Sequence, residues 1–136
     1  MPFIQLVVSG HPDSVLAATL AREVSERTTR ILHKVAEEAA VVVTFVPPSA
    51  WFVGGRSLEE ADLSSFWLDV KVTDRSNTKR EKAAFLAEVY AAMGELLGPL
   101  HPASYIVVHD VAADSYGIGG ISKEQRHRMR ETVGLL

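Results

Sequence analysis

Trp51-Phe52-Val53-Gly54-Gly55 is answered by Tyr116-Gly117-Ile118-Gly119-Gly120, sixty-five residues further along the chain. The same displacement carries Glu23-Val24 onto Glu88-Val89 and Val42-Val43 onto Val107-Val108. Valine and glycine are common, so each match alone says little. One offset shared by three separated segments marks a duplicated unit, with copies over 2–60 and 65–125 inside a single domain, 1–136.

Outward from the glycine turns, each copy reads as strand, helix, strand, turn. Phe3 to Val8 and Phe66 to Val72 are short β-branched or aromatic runs, followed by turn residues Ser9-Gly10-His11-Pro12 and Thr73-Asp74-Arg75-Ser76. Asp13 is placed to cap a first helix, and Thr78 with Glu81 makes a capping-box pattern for a second. Leu86, Val89, Met93 and Leu97 recur at helical spacing in the second copy; Leu16, Leu20, Val24, Ile31 and Val35 do so less regularly in the first. The closing runs, Ala40 to Val46 and Ser104 to Val111, are continuously apolar, as in strands buried within a sheet.

A strand–helix–strand unit makes a right-handed crossover between parallel strands. Two of them predict an α/β (α+β) fold, a four-stranded sheet with two helices on one face. The other face stays apolar and calls for oligomerisation. The segment Ser57 to Ser65, with its acidic residues, joins the copies without being a flexible spacer.

The formal charge of −3 gives no reason to expect nucleic acid or an anionic membrane as partner. The absence of cysteine excludes disulfides, thiolate metal sites and cysteine nucleophiles. The first residues show neither a basic leader nor a long apolar run, so a cytoplasmic location is the expectation. His109-Asp110 sits on a strand, where neighbours point to opposite faces, and the other histidines lack ligand spacing. No metal is expected. The glycine turns lack the pattern of phosphate loops.

A proline directly after Met1, an apolar strand, a helix containing Arg22-Glu23-Val24-Ser25, a valine-rich strand and the turn Tyr116-Gly117-Ile118-Gly119-Gly120 resemble 4-oxalocrotonate tautomerase and its superfamily. The resemblance covers residues 2 to 121 as two copies of the short family subunit. It implies a tautomerase/MIF-like fold, assembly as a homotrimer, and a cofactor-free site around the amine of Pro2 once Met1 is removed. It further implies a small carboxylate substrate, a 2-hydroxy-dienoate or similar enol 2-oxo acid, whose hydroxyl proton Pro2 takes as general base and returns to carbon. An α-amino group titrates near pH ~8. An apolar pocket lowers that value and enlarges the free-base fraction at neutral pH.

The family holds carboxylates with arginines, and here those places carry Pro12 and Asn77 ahead of the helices and Ala40 and Tyr105 on the closing strands. That inventory points towards an aromatic or monocarboxylate substrate. Arg75 is the first anion-binding candidate: if the two opening strands pair antiparallel, the end of the second lies beside the start of the first. Arg80 is a second candidate, and Tyr105 can donate a hydrogen bond where an arginine is missing. Trp51 and Tyr116, on the glycine turns, match the aromatic that shields the amine in the family. Trp67 stands at the second copy's equivalent of Pro2 and has no free amine, so one site per chain is expected. The basic tail Lys123 to Arg130 reads either as a solvated helix or as a strap over a neighbouring subunit. Two further readings stay open: Pro2 acting as general acid in a hydratase- or dehalogenase-like reaction, and a non-catalytic oligomeric module.

Overall fold

A computed structural model of the chain describes residues 2–133. The first copy contributes β1 (Phe3–Ser9), α1 (Ser14–Leu32), β2 (Ala40–Val46), a hairpin of β3 (Phe52–Val53) and β4 (Arg56–Ser57), and the short α2 (Leu58–Ala61). The second contributes β5 (Phe66–Thr73), α3 (Lys79–Leu97), β6 (Tyr105–Val111), a hairpin of β7 (Gly117–Ile118) and β8 (Ile121–Ser122), and α4 (Lys123–Val133). Both long helices begin as the sequence predicts. Asp13 accepts from the amides of Val15 and Leu16, and Thr78 and Glu81 complete a reciprocal capping box.

The strands form one sheet in the order β2-β1-β5-β6. β1 pairs parallel with β2, β5 parallel with β6, and the two copies meet where β1 runs antiparallel to β5, with Phe3 opposite Lys71 and Val8 opposite Phe66. Alternation along the strands sends Ile4, Leu6, Val8, Phe66, Leu68, Val70 and Val72 to the helix face, against Leu20, Val24, Ile31, Leu32, Phe85, Val89 and Met93. Val35, counted with the first helical stripe in the sequence, falls beyond α1 and is exposed, because His33 ends that helix in the left-handed conformation.

The closing strands differ from the buried runs their composition predicts. β2 and β6 are the edges of the sheet and alternate between exposed and half-buried, because no element among the described residues covers the face opposite the helices. That face presents Phe3, Val42, Trp67, Tyr105 and Val107 to solvent. Amid them lies a charged knot in which Asp69 meets both Lys71 (3.2 Å) and His109 (3.1 Å). Asp110 points the other way and pairs with Lys82, so the two neighbours do part to opposite faces.

The displacement of sixty-five holds from Ser14–Leu32 to Lys79–Leu97, from Ala40–Val46 to Tyr105–Val111 and through both hairpins. It fails by one residue at the opening strands. Phe3 pairs with Ala40 while Trp67 pairs with Tyr105, so Trp67 is the counterpart of Phe3 and Phe66 that of Pro2. The extra residue sits in the β5–α3 turn, where Arg75 takes a left-handed φ of 62°. Leu68, wholly buried at the centre of the joining strand, is the place to test this core. Leu68→Ala should lower unfolding free energy by about 2–5 kcal/mol in urea denaturation.

Candidate active site

Pro2 is buried, and its carbonyl accepts from the Ala40 amide at 3.2 Å. It therefore enters the sheet between the start of β2 and, by continuation of the β1–β5 register, Val72 near the end of β5. The α-amine and the removal of Met1 on which its chemistry depends lie outside the described residues. Around this end of the sheet gather the Glu38–Ala40 turn, Thr73, the β7–β8 hairpin and α4. The Tyr116 hydroxyl and the Thr73 hydroxyl share a hydrogen bond of 2.8 Å.

The helix α4 lies back over this end of its own chain. Arg126 reaches Glu38 at 2.9 Å, and Arg130 approaches the same carboxylate at 3.8 Å. The basic tail is a helix with a largely exposed outer face, tied through Arg126 to the first copy of its own chain. Beneath it opens a cavity of about 610 Å³ lined by Thr73, Ser76, Ala113, Lys123, Arg126 and Arg130, among others. The Arg126 hydrogen bond holds the Glu38 carboxyl below the usual carboxylate range. Its second oxygen, Oε2, is buried and without a hydrogen-bond partner among the described residues.

The sequence-derived candidates separate into two groups. Tyr116 lies at the Pro2 end. Arg75 lies there too, since the antiparallel pairing is as expected, but its side chain is exposed and stays off the cavity wall. Arg80 is exposed on the first turn of α3. Trp51 and Tyr105 are at the far end of the sheet, because β2 finishes beside Ser9 and β6 begins beside Trp67. Six strand residues put them roughly 20 Å from Pro2 within one chain. Glu38, Lys34, Lys123 and Arg126 escaped the sequence reading. Glu38 and Lys34 occupy an irregular connection, and the tail's docking depends on a contact 88 positions apart. In the second copy Phe66, fully buried and tilted against Tyr90 with ring centres 6.2 Å apart, fills the place of Pro2.

Residues 67–126 match the family model for tautomerase enzymes. The chain thus carries a tautomerase signature over its second copy. Its fold is that of a native fused 4-OT, with a TM-score of 0.73 at 20% identity over 90% of this chain and 96% of that one. A fused 4-OT asymmetric trimer superposes at 0.79 with 17% identity, over 93% and 99% of the two chains. A macrophage migration inhibitory factor-like protein from Entamoeba histolytica does so at 0.73 with 13% identity, over 89% and 97%. At such identities the likeness is one of fold. No curated protein matches the chain. No helix among the described residues is long and apolar enough to cross a membrane.

The Glu38–Arg126 pair gives this tautomerase fold an acid-sensitive joint. A carboxyl whose folded pKa is depressed contributes its stabilisation above the unfolded value, ~4.3, and loses it as pH falls through the folded one. Protection factors of the α4 amides, taken relative to intrinsic exchange at each pH, should therefore fall selectively as Glu38 is protonated in acid, while the sheet stays protected. Glu38→Gln should lower them already at pH 7.

Proposed function

We propose that the chain is a cofactor-free isomerase, a tautomerase acting on a small unsaturated or enol 2-oxo acid with the Pro2 amine as general base. The observation that carries this reading is the buried Pro2 at the start of β1, at the end of the sheet where α4 roofs a cationic cavity. The free amine removes the enol hydroxyl proton, the oxygen's electron pair becomes the carbonyl π bond, and the displaced pair of the C=C takes the proton back at carbon. Burial keeps the amine from being over-stabilised as a cation, and cations beside the cavity favour charge developing on the enolate. Tyr116, held by Thr73, is the glycine-turn aromatic at this end of the sheet. Trp51 and Tyr105 could take part only from another copy, in a homotrimer such as those formed by the fused 4-OT proteins.

Glu38 favours a second reading. A carboxylate two residues from the amide that holds Pro2, with one buried oxygen unpartnered, raises the basicity of a nearby amine and is suited to activating a water. Pro2 would then stay protonated and act as general acid in a hydration. The pH–rate profile separates the two. A base mechanism gains rate as pH rises through the amine's pKa, and an acid mechanism loses it.

Ketonisation of phenylenolpyruvate is the direct test, using protein whose mass shows Met1 to be absent. The intact protein should exceed the buffer rate, and Pro2→Ala should lose about 10²–10⁴-fold. Since the alanine variant keeps a primary amine, equal rates in the two proteins would show that the secondary amine of Pro2 is not what the reaction needs.

A further inference from the structure

The two ends of the sheet are built alike, so the places where they differ are informative. At the end away from Pro2, the amide of Leu58, the first residue of α2, donates to the Trp51 carbonyl at 2.9 Å. At the Pro2 end the amide of Lys123, the first residue of α4, donates to the Tyr116 carbonyl at 3.0 Å. Leu58 and Lys123 thus occupy one position of the repeat. Leu58 is 1% exposed and packs beside Leu63, Leu97 and Pro99 in the wall of a small cleft. The repeat counterpart of Pro99 is Lys34. An apolar Leu/Pro pair at one end is replaced by two lysines at the other.

Those lysines are poorly compensated. Lys34 is half-buried, and its Nζ donates to the Ser76 hydroxyl at 2.9 Å rather than to a carboxylate. Lys123 is half-buried on the cavity wall, and its ammonium makes no hydrogen bond or ion pair among the described residues. Burial, then the charge of Lys123, pulls the Lys34 ammonium below the ordinary lysine range, against Glu81 and Asp110. Burial also lowers Lys123; Glu38 opposes this, and Arg126 and Arg130 add to it. Glu38 is already taken by Arg126. Two half-buried, mutually repelling ammoniums, one on the cavity wall and the other bonded to Ser76 of that wall, leave a place for an anion, which would relieve both the repulsion and the lost hydration.

We propose that Lys34 and Lys123 form the carboxylate-binding site of this enzyme, replacing the arginines missing from Pro12, Asn77 and Ala40, with α4 as the element that brings Lys123 over the cavity. The inference rests on the function proposed above for its ligand, a 2-oxo acid, but not on the role of Pro2. The lysines bind and orient the substrate; they transfer no proton.

The other end of the molecule supplies the control. Lys123→Leu copies the residue that the fold already accepts at the equivalent place, so the protein should remain folded with its melting temperature nearly unchanged. Phenylpyruvate is the probe, titrated calorimetrically into Pro2→Ala protein, so that binding is read without turnover and whether or not the amine is catalytic. Lys123→Leu and Lys34→Gln should each weaken binding about tenfold or more, and Lys123→Arg should largely preserve it. In protein with Pro2 intact, the same changes should raise KM for phenylenolpyruvate more than they lower kcat. Unchanged phenylpyruvate affinity in folded Lys123→Leu overturns the proposal, whatever Pro2→Ala does to the rate.

Discussion

The antiparallel ladder between β1 and β5 is the constraint on which everything else depends. It is the seam at which the copies join within the sheet, and it fixes which end of one copy lies beside which end of the other. Because the register places Phe3 opposite Lys71, the amino end of the first copy is brought to the outgoing end of the second. Pro2 therefore shares its end of the sheet with Thr73, Tyr116 and α4, all from the other half of the chain. The opposite polarity would have placed Pro2 beside Phe66 and the short α2. One-residue slippage along this ladder would turn Leu6 and Leu68 out to solvent, so burial of the core enforces the register.

The charge distribution follows from the same arrangement. Around this end of the sheet, Arg126 and Arg130 of α4 converge on Glu38, Lys34 of the α1–β2 connection reaches the Ser76 hydroxyl, and the hydroxyls of Thr73 and Tyr116 supply the remaining polarity. At the far end the corresponding space is filled by Leu58 and Phe66, both essentially inaccessible to water. Burying charge is costly unless it is compensated, so the concentration of lysine and arginine at one end alone is unlike the economy of the rest of the core. Salt bridges such as Arg30–Glu26 and Arg30–Glu88 are surface pairs in high dielectric and add little by comparison.

The repeat, the strand and helix positions and both helix caps were legible in the sequence because they depend on local chemistry: glycine at left-handed turns, short polar caps, and apolar residues at periods of two and of three to four. What was not legible depended on distance along the chain. The equivalence of Pro2 with Phe66 rather than Trp67 hinges on a single extra residue absorbed at Arg75, which a constant offset conceals. The docking of α4 hinges on Arg126 finding Glu38, and nothing in a run of basic residues names its acceptor. Trp51 and Tyr105 sit where their repeat positions require, but the sequence does not reveal that these positions are at the wrong end for Pro2 within one chain.

The tie between Glu38 and Arg126 joins a residue of the first copy to one of the second, and neither has a like-charged counterpart at the other end: Ala103 stands where Glu38 would recur, and Ala61 where Arg126 would. An assembly of identical short subunits must carry the same residues at every equivalent end, so a glutamate placed for one is placed for all. Covalent fusion lifts that restriction. Once the copies share a chain, one end can be given over to packing and the other to charge, and each can vary without the compromise that symmetry imposes on a repeated part.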